Sequence, residues 1–201
     1  SSAVRMMLML NVPAAVGLMV LATPIVALLF ERGSFTPAAT AGTAAAVMCY
    51  APGLIGYSAV KIAVPTFYSL HDSRTPVLVG VISMLVNVVL NIALMQVLGY
   101  RGLALGTAIA ALGNAAMLFW LLRRRLGGID GRRIWIASAK ILIASLAMGA
   151  VVWGLDVWLA GALGERSLAS RLSRVAIAIG AGMGTLALAA HALRIAEFRD
   201  A

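Results

Sequence analysis

Long apolar runs free of charge alternate with short polar connections, and the alternation repeats six times along 201 residues. A helix rises about 1.5 Å per residue, so about 20 mostly apolar residues cross the hydrocarbon core of a bilayer. Six stretches meet or nearly meet that length. They are Met6 to Phe30, which contains Pro13 and Pro24, then Gly33 to Val60, Pro76 to Leu98 and Gly102 to Leu122. Ile134 to about Leu159, with Lys140 and Asp156 near its ends, and Val175 to Leu193 complete the set. The pattern predicts an all-α polytopic membrane protein with six transmembrane helices. One connection stands apart: "KIAVPTFYSLHDSRTPV" (61–77) gathers a lysine, two prolines, two aromatics, a histidine, an aspartate and an arginine.

Composition narrows the reading. Hydrophobic residues make up 62% of the chain and charged residues 11%, whereas soluble domains carry about 45–50% and about 25%. The net charge of +9 raises nucleic acid as a partner. The cations, however, sit in clusters between apolar runs and not along one polar helix face, which fits the positive-inside rule better than a phosphate-binding stripe, so no nucleic acid is expected as a partner. With six spans, one side holds Arg5, Lys61, Arg74, Arg123, Arg124, Arg125, Arg132, Arg133, Arg194 and Arg199. The other holds Arg32, Arg101, Arg166, Arg171 and Arg174. The imbalance predicts that both ends are cytoplasmic, with Lys140 snorkelling to the same side. No signal-peptide pattern follows Ser1, and a start without Met suggests a fragment of a longer chain.

The 61–77 connection is then a cytoplasmic re-entry between the second and third spans. Pro65 is expected to end or kink the preceding helix, with residues 65–76 forming the turn. Thr75 is placed as N-cap and Pro76 as the first helical residue. Phe67 and Tyr68 are expected at the membrane interface, Lys61 and Arg74 reaching toward phosphates, and Asp72 supporting the turn through side-chain hydrogen bonds. Within the spans, Asn87 and Asn91 stand four apart on one helix face. An unpaired amide in hydrocarbon costs several kcal/mol, so both must face protein, an ion or water. Thr107 and the carbonyl near Leu103 reach the same point. Gly102 and Gly106, and Gly180 and Gly184, form small-xxx-small faces for close packing. Trp135, Trp153 and Trp158 read as interfacial anchors or core.

Catalysis has no visible machinery: His71 and His191 are isolated, and no Ser-His-Asp set, carboxylate pair or phosphate loop lies at a common depth. The lone Cys49 permits no internal disulfide.

"LLFERGSFT" (28–36), "APGLIGYSAVKIAVPTFYSLHDSRTPV" (51–77) and "NVVLNIALMQVLGYRGLALGTAIAALGNAAMLFWLLRRR" (87–125) resemble the MurJ/MviN lipid II flippases. These belong to the multidrug/oligosaccharidyl-lipid/polysaccharide exporter superfamily. Phe67, Tyr68, Asp72, Thr75 and Pro76 carry the resemblance, as do the RG-F-T turn (Arg32, Gly33, Phe35, Thr36) and the glycine-leucine stretch after span three. The last two spans match in hydropathy and position only.

The resemblance implies that the chain corresponds to helices nine to fourteen of a fourteen-helix flippase. Residues 1–125 would be four helices of the second lobe, 126–133 a basic cytoplasmic loop, and 134–201 the C-terminal helix pair that forms a groove for the polyprenyl tail. It implies lipid II as substrate, handled together with a missing N-terminal lobe that carries the substrate-binding arginines, in the bacterial inner membrane. It also implies a sodium site at Asn87, Leu103 and Thr107, but Asn91 replaces the acidic residue of that pattern. The four residues are therefore either a sodium site or an interhelical polar contact; no other cofactor is expected. The alternatives to lipid II transport are a related exporter of drugs or other lipid-linked oligosaccharides, and a structural membrane module without transport of its own.

Overall fold

The computed structural model describes residues 2–31, 35–126, 131–163 and 168–192. Every regular element among them is an α-helix: α1 (Ser2–Val20), α2 (Ala22–Phe30), α3 (Pro37–Tyr50), α4 (Gly53–Ser69), α5 (Arg74–Leu98), α6 (Tyr100–Arg125), α7 (Gly131–Leu163) and α8 (Leu168–Ala192). Six candidate spans are long and apolar enough to cross a membrane.

Eight helices make six spans because proline divides two of them. Pro24 has no N–H to donate to the Val20 carbonyl, so the first span breaks at Leu21, whose backbone angles are φ −94° and ψ 10°. The second span runs from Pro37 to Ser69 and is interrupted at Ala51–Pro52, where Leu54 N–H donates to the Ala51 carbonyl over 3.1 Å. It continues nine residues beyond the expected end at Val60. Pro65 lies inside α4 and does not end it, which corrects the expected turn at residues 65–76. One lost backbone bond is too small a defect to stop a helix held by packing on its buried face. Helix α7 runs 33 residues, longer than the apolar stretch alone suggests, and α8 begins seven residues before Val175.

The described residues group into two compact units. Unit 1 comprises Ser1–Asn11 and Cys49–Ser138, and unit 2 comprises Val12–Met48 and Ala139–Ala201. In unit 1, α4 and α5 both pack along α6. Lipid tails are as apolar as leucine, so close helix contact here depends on dispersion and on small residues that let backbones approach. The α4–α6 seam shows this directly. A Cβ added at Gly53 would lie 2.9 Å from Ala108 Cα, and one at Gly56 would lie 2.6 Å from the Ala111 carbonyl. Ala104, Ala108, Ala111 and Ala115 of α6 are buried. Gly102 and Gly106 likewise meet α5, at the Leu94 carbonyl and the Asn91 side-chain oxygen.

Below the seam, Phe67 (0% exposed) packs with Ala63, Val79, Leu118 and Leu122. Phe67 is therefore the centre of a core cluster and not an interfacial anchor, because its position on α4 places it on the face turned to α6. Tyr68, one residue on, is 53% exposed. Most large side chains of α5 are exposed, on a helix long and apolar enough to cross a membrane.

In unit 2, Leu21, Met148, Val152 and Ala178 form the core. The close contact on α8 is made by Gly182, whose added Cβ would lie 2.8 Å from Val152 Cγ2, while Gly180 and Gly184 have nothing within 4 Å. The small-residue spacing was present, but α8 is rotated so that the intervening glycine meets α7. Trp135, Trp153 and Trp158 are all exposed, which removes the core alternative for them.

The glycine contacts predict unequal outcomes for one substitution. Gly56→Ala, which drives a methyl into rigid backbone, should cost about 1–3 kcal/mol. Gly113→Ala, with open space around it, should be neutral or stabilising by up to about 1 kcal/mol. Thermal unfolding of both variants in one detergent measures the difference.

Candidate functional site

The α4–α5 connection is four residues long, Leu70 to Ser73, and each end is capped by a defined pattern. At the end of α4, His71 N–H donates to the Tyr68 carbonyl and Asp72 N–H to the Phe67 carbonyl, both over 3.0 Å. His71 itself has φ +58°. These are the two crossed bonds and the left-handed residue of a Schellman ending, at a position that usually holds glycine.

Asp72 then caps α5. Its Oδ1 accepts from the backbone N–H groups of Arg74 and Thr75, each over 3.1 Å. Its Oδ2 accepts from the Thr75 hydroxyl. Ser73 already has helical backbone angles, φ −86° and ψ −17°, so Asp72 does what an N-cap does for the second and third residues after it. Thr75 is a partner of the cap and not the cap itself. Pro76 is buried in the first turn, where its missing N–H leaves the Asp72 carbonyl without a helical donor. The same Oδ2 lies 2.6 Å from Nη2 of Arg125, at the end of α6, and the Asp72 side chain is only 11% exposed. Asp72 thus touches all three helices of the seam. The Thr75 hydroxyl and N–H, with the Arg125 guanidinium, hold its carboxyl below the ordinary carboxylate range. Lys61 and Arg74 are exposed.

The second polar group lies within the spans. Asn91 Nδ2 donates to Asn87 Oδ1 over 3.0 Å, and Thr107 Oγ1 donates to the Leu103 carbonyl over 2.8 Å. Both bonds lie within one helix, in contrast to the interhelical bonds expected. The contact across helices is Asn91 Oδ1 against Gly106. That oxygen is buried without a hydrogen-bond partner, as is Asn114 Oδ1. Tyr57, Ser83, Asn87, Thr107 and Asn114 line a crevice of about 240 Å³, and Ser83 Oγ bridges α5 to the Ala110 carbonyl of α6 over 3.2 Å. The structure therefore brings Asn87 and Thr107 to one crevice, with Asn91 one turn further along α5. Among the described residues no cluster of His, Cys, Asp or Glu is arranged to hold a metal. Sequence reasoning overlooked Asn114, although it lies seven residues after Thr107 and hence on the same helix face.

Reading the charges one by one also missed their pairing in unit 2. Arg174 Nε and Nη2 donate to the two oxygens of Asp156 over 2.7 and 2.9 Å. Arg171 donates to Glu31 over 3.0 Å, and Thr40 donates to the other Glu31 oxygen over 3.0 Å. A carboxylate inside an apolar run needs such a partner, so Asp156 was itself the signal. Of the turn at 32–36, Arg32 and Gly33 lie outside the described residues; so do Arg166, Arg194 and Arg199 of the charge count.

Residues 1–190 match the family model for lipid II flippase MurJ. The chain is 34% identical over 169 residues to a probable lipid II flippase MurJ of Vibrio cholerae, an alignment covering 82% of this chain and 32% of that protein. It is 36% identical over 154 residues to the corresponding protein of Haemophilus influenzae, covering 75% and 29%. The chain thus spans about a third of the length of the curated relatives it matches. A solved structure of lipid II flippase MurJ in an inward closed conformation superimposes with a TM-score of 0.71 over 92% of this chain and 37% of that one. At 24% identity, that likeness shows the fold.

Two predictions follow from the turn. His71→Gly relieves a left-handed side chain at a helix end and should stabilise unit 1 by about 0.5–1 kcal/mol, net of the added freedom of the unfolded chain; thermal melting measures it. The lowered Asp72 pKa means that its stabilisation is fully present above the unfolded value near 3.9 and is lost as pH falls through the folded value. The melting-temperature gap between wild type and Asp72→Asn should therefore be constant at neutral pH and close as pH falls through that range.

Proposed function

Because the chain belongs to the lipid II flippase MurJ family, we propose that it forms part of a carrier for the lipid-linked peptidoglycan precursor across the bacterial inner membrane. The observation that carries this is the family match over residues 1–190, which coincides with the six candidate spans. In this reading the segment is a second-lobe wall plus a terminal helix pair, working with a first lobe by alternating access. Transporters of this kind place the substrate between two bundles that rock about it. The distribution of lysine and arginine supports both ends of the segment being cytoplasmic, so the Asp72 turn faces the cytoplasm. The turn is then the place where α4, α5 and α6 are made to move as one body.

For the asparagine pair we propose a packing role. The four candidate sodium donors carry no negative charge, and their described hydrogen bonds join Asn91 to Asn87 and Thr107 to Leu103. A hard cation favours anionic oxygen and open carbonyls. Here Asn87 Oδ1 and the Leu103 carbonyl are already taken by donors of their own helices, and the one open oxygen, Asn91 Oδ1, is a neutral amide packed against Gly106. Thermal unfolding of the intact protein in sodium against potassium tests the point. Equal melting temperatures are expected for wild type and Asn91→Leu, whereas a sodium-specific rise in wild type would establish an ion site.

The transport reading is tested in cells depleted of their own flippase. The full-length protein carrying this segment should restore growth, and residues 1–201 alone should insert without restoring it. Asp72→Ala should lower transport more than membrane abundance. Growth restored by residues 1–201 alone would place the whole machinery within them, and failure of the full-length protein would favour a structural module.

A further inference from the structure

We propose that the end of unit 1 formed by the Asp72 turn and the last turn of α6 is a binding site for the headgroup of an anionic phospholipid. The inference rests on the membrane-spanning fold and not on the transport reading. Three arginines, Arg123, Arg124 and Arg125, close α6. The Asp72–Arg125 ion pair brings the start of α5, and hence Arg74, to the same place. Asp72 is the only carboxylate there among the described residues, and its oxygens are occupied by the cap, the Thr75 hydroxyl and Arg125. Among the described residues, Arg74, Arg123 and Arg124 are thus exposed cations with no acid left to offset them.

Arg124 is also held in a particular attitude. Its guanidinium carbon lies 4.0 Å from the centroid of the Trp120 ring, one turn back along α6. A turn is about 5.4 Å, so the cation is drawn from the helix end toward the hydrocarbon side. Its guanidinium lies over the exposed indole, which leaves the N–H groups of its planar fork to bond elsewhere. That fork matches two oxygens of a phosphate, which an ammonium does not. Tryptophan itself favours the headgroup level. A stacked arginine at that depth, flanked by two more cations, suits a phosphodiester whose acyl chains lie along the helix. Zwitterionic lipids bring their own ammonium to the same phosphate and gain less.

The test uses the intact protein in detergent with Trp120 as its only tryptophan, Trp135, Trp153, Trp158 and any tryptophan outside residues 1–201 being replaced by phenylalanine. Short-chain phosphatidylglycerol and phosphatidylcholine are titrated against Trp120 fluorescence. Phosphatidylglycerol should bind in preference, and Arg124→Gln should weaken it about fivefold, the effect of one basic residue at a membrane surface. Arg124→Lys should recover only part of that loss. Arg101, beside Tyr100 at the opposite end of α6, is the control, and Arg101→Gln should leave binding unchanged. Melting in phosphatidylcholine confirms that each variant is folded. Equal binding of the two lipids, equal losses from Arg101→Gln and Arg124→Gln, or displacement by inorganic phosphate at matched concentration would each overturn the proposal.

Discussion

The carboxylate of Asp72 is the constraint on which unit 1 depends. Its two oxygens receive two backbone N–H groups and a hydroxyl from the first turn of α5, and a guanidinium from the end of α6. Its own N–H closes α4. The N-terminus of a helix presents unpaired donors and a partial positive charge, so an anion there is stabilised locally before any tertiary contact forms. The ion pair to Arg125 then carries that local anchor across to α6, the helix on which α4 and α5 both pack. In lipid the hydrophobic effect does not press helices together, so a polar clasp at one end and glycine-alanine contact along the seam supply the cohesion.

Many of the remaining polar groups are satisfied close to their own backbone. Thr66, Thr107, Ser138, Ser145 and Thr185 all donate to the carbonyl four residues earlier. Asn87 and Asn91 use each other. Where charge enters an apolar run, as at Asp156, it is matched bidentately by arginine. The region of Asn87, Asn91, Thr107 and Asn114 departs from this, since Asn91 Oδ1 and Asn114 Oδ1 are buried without a partner. Such a place is where a polar neighbour or water has to be admitted.

The number and character of the spans were written in the sequence, because a bilayer demands a run of apolar residues of a set length whatever the neighbours do. Asp72, Thr75 and Pro76 also declared a helix start, since capping depends on residues within one turn. The tertiary structure decided what local pattern leaves open. Phe67 and Tyr68 are equally aromatic, yet only the rotation of α4 against α6 sends the first into the core and the second outward. Gly182 makes the contact that the spacing assigned equally well to Gly180 and Gly184, because a small-residue stripe marks a helix and not the side on which its partner lies. Pairing Asp72 with Arg125, Asp156 with Arg174 and Glu31 with Arg171 joins residues 53, 18 and 140 positions apart. No periodicity reaches across such gaps. Only the packing of one helix on another selects the partner.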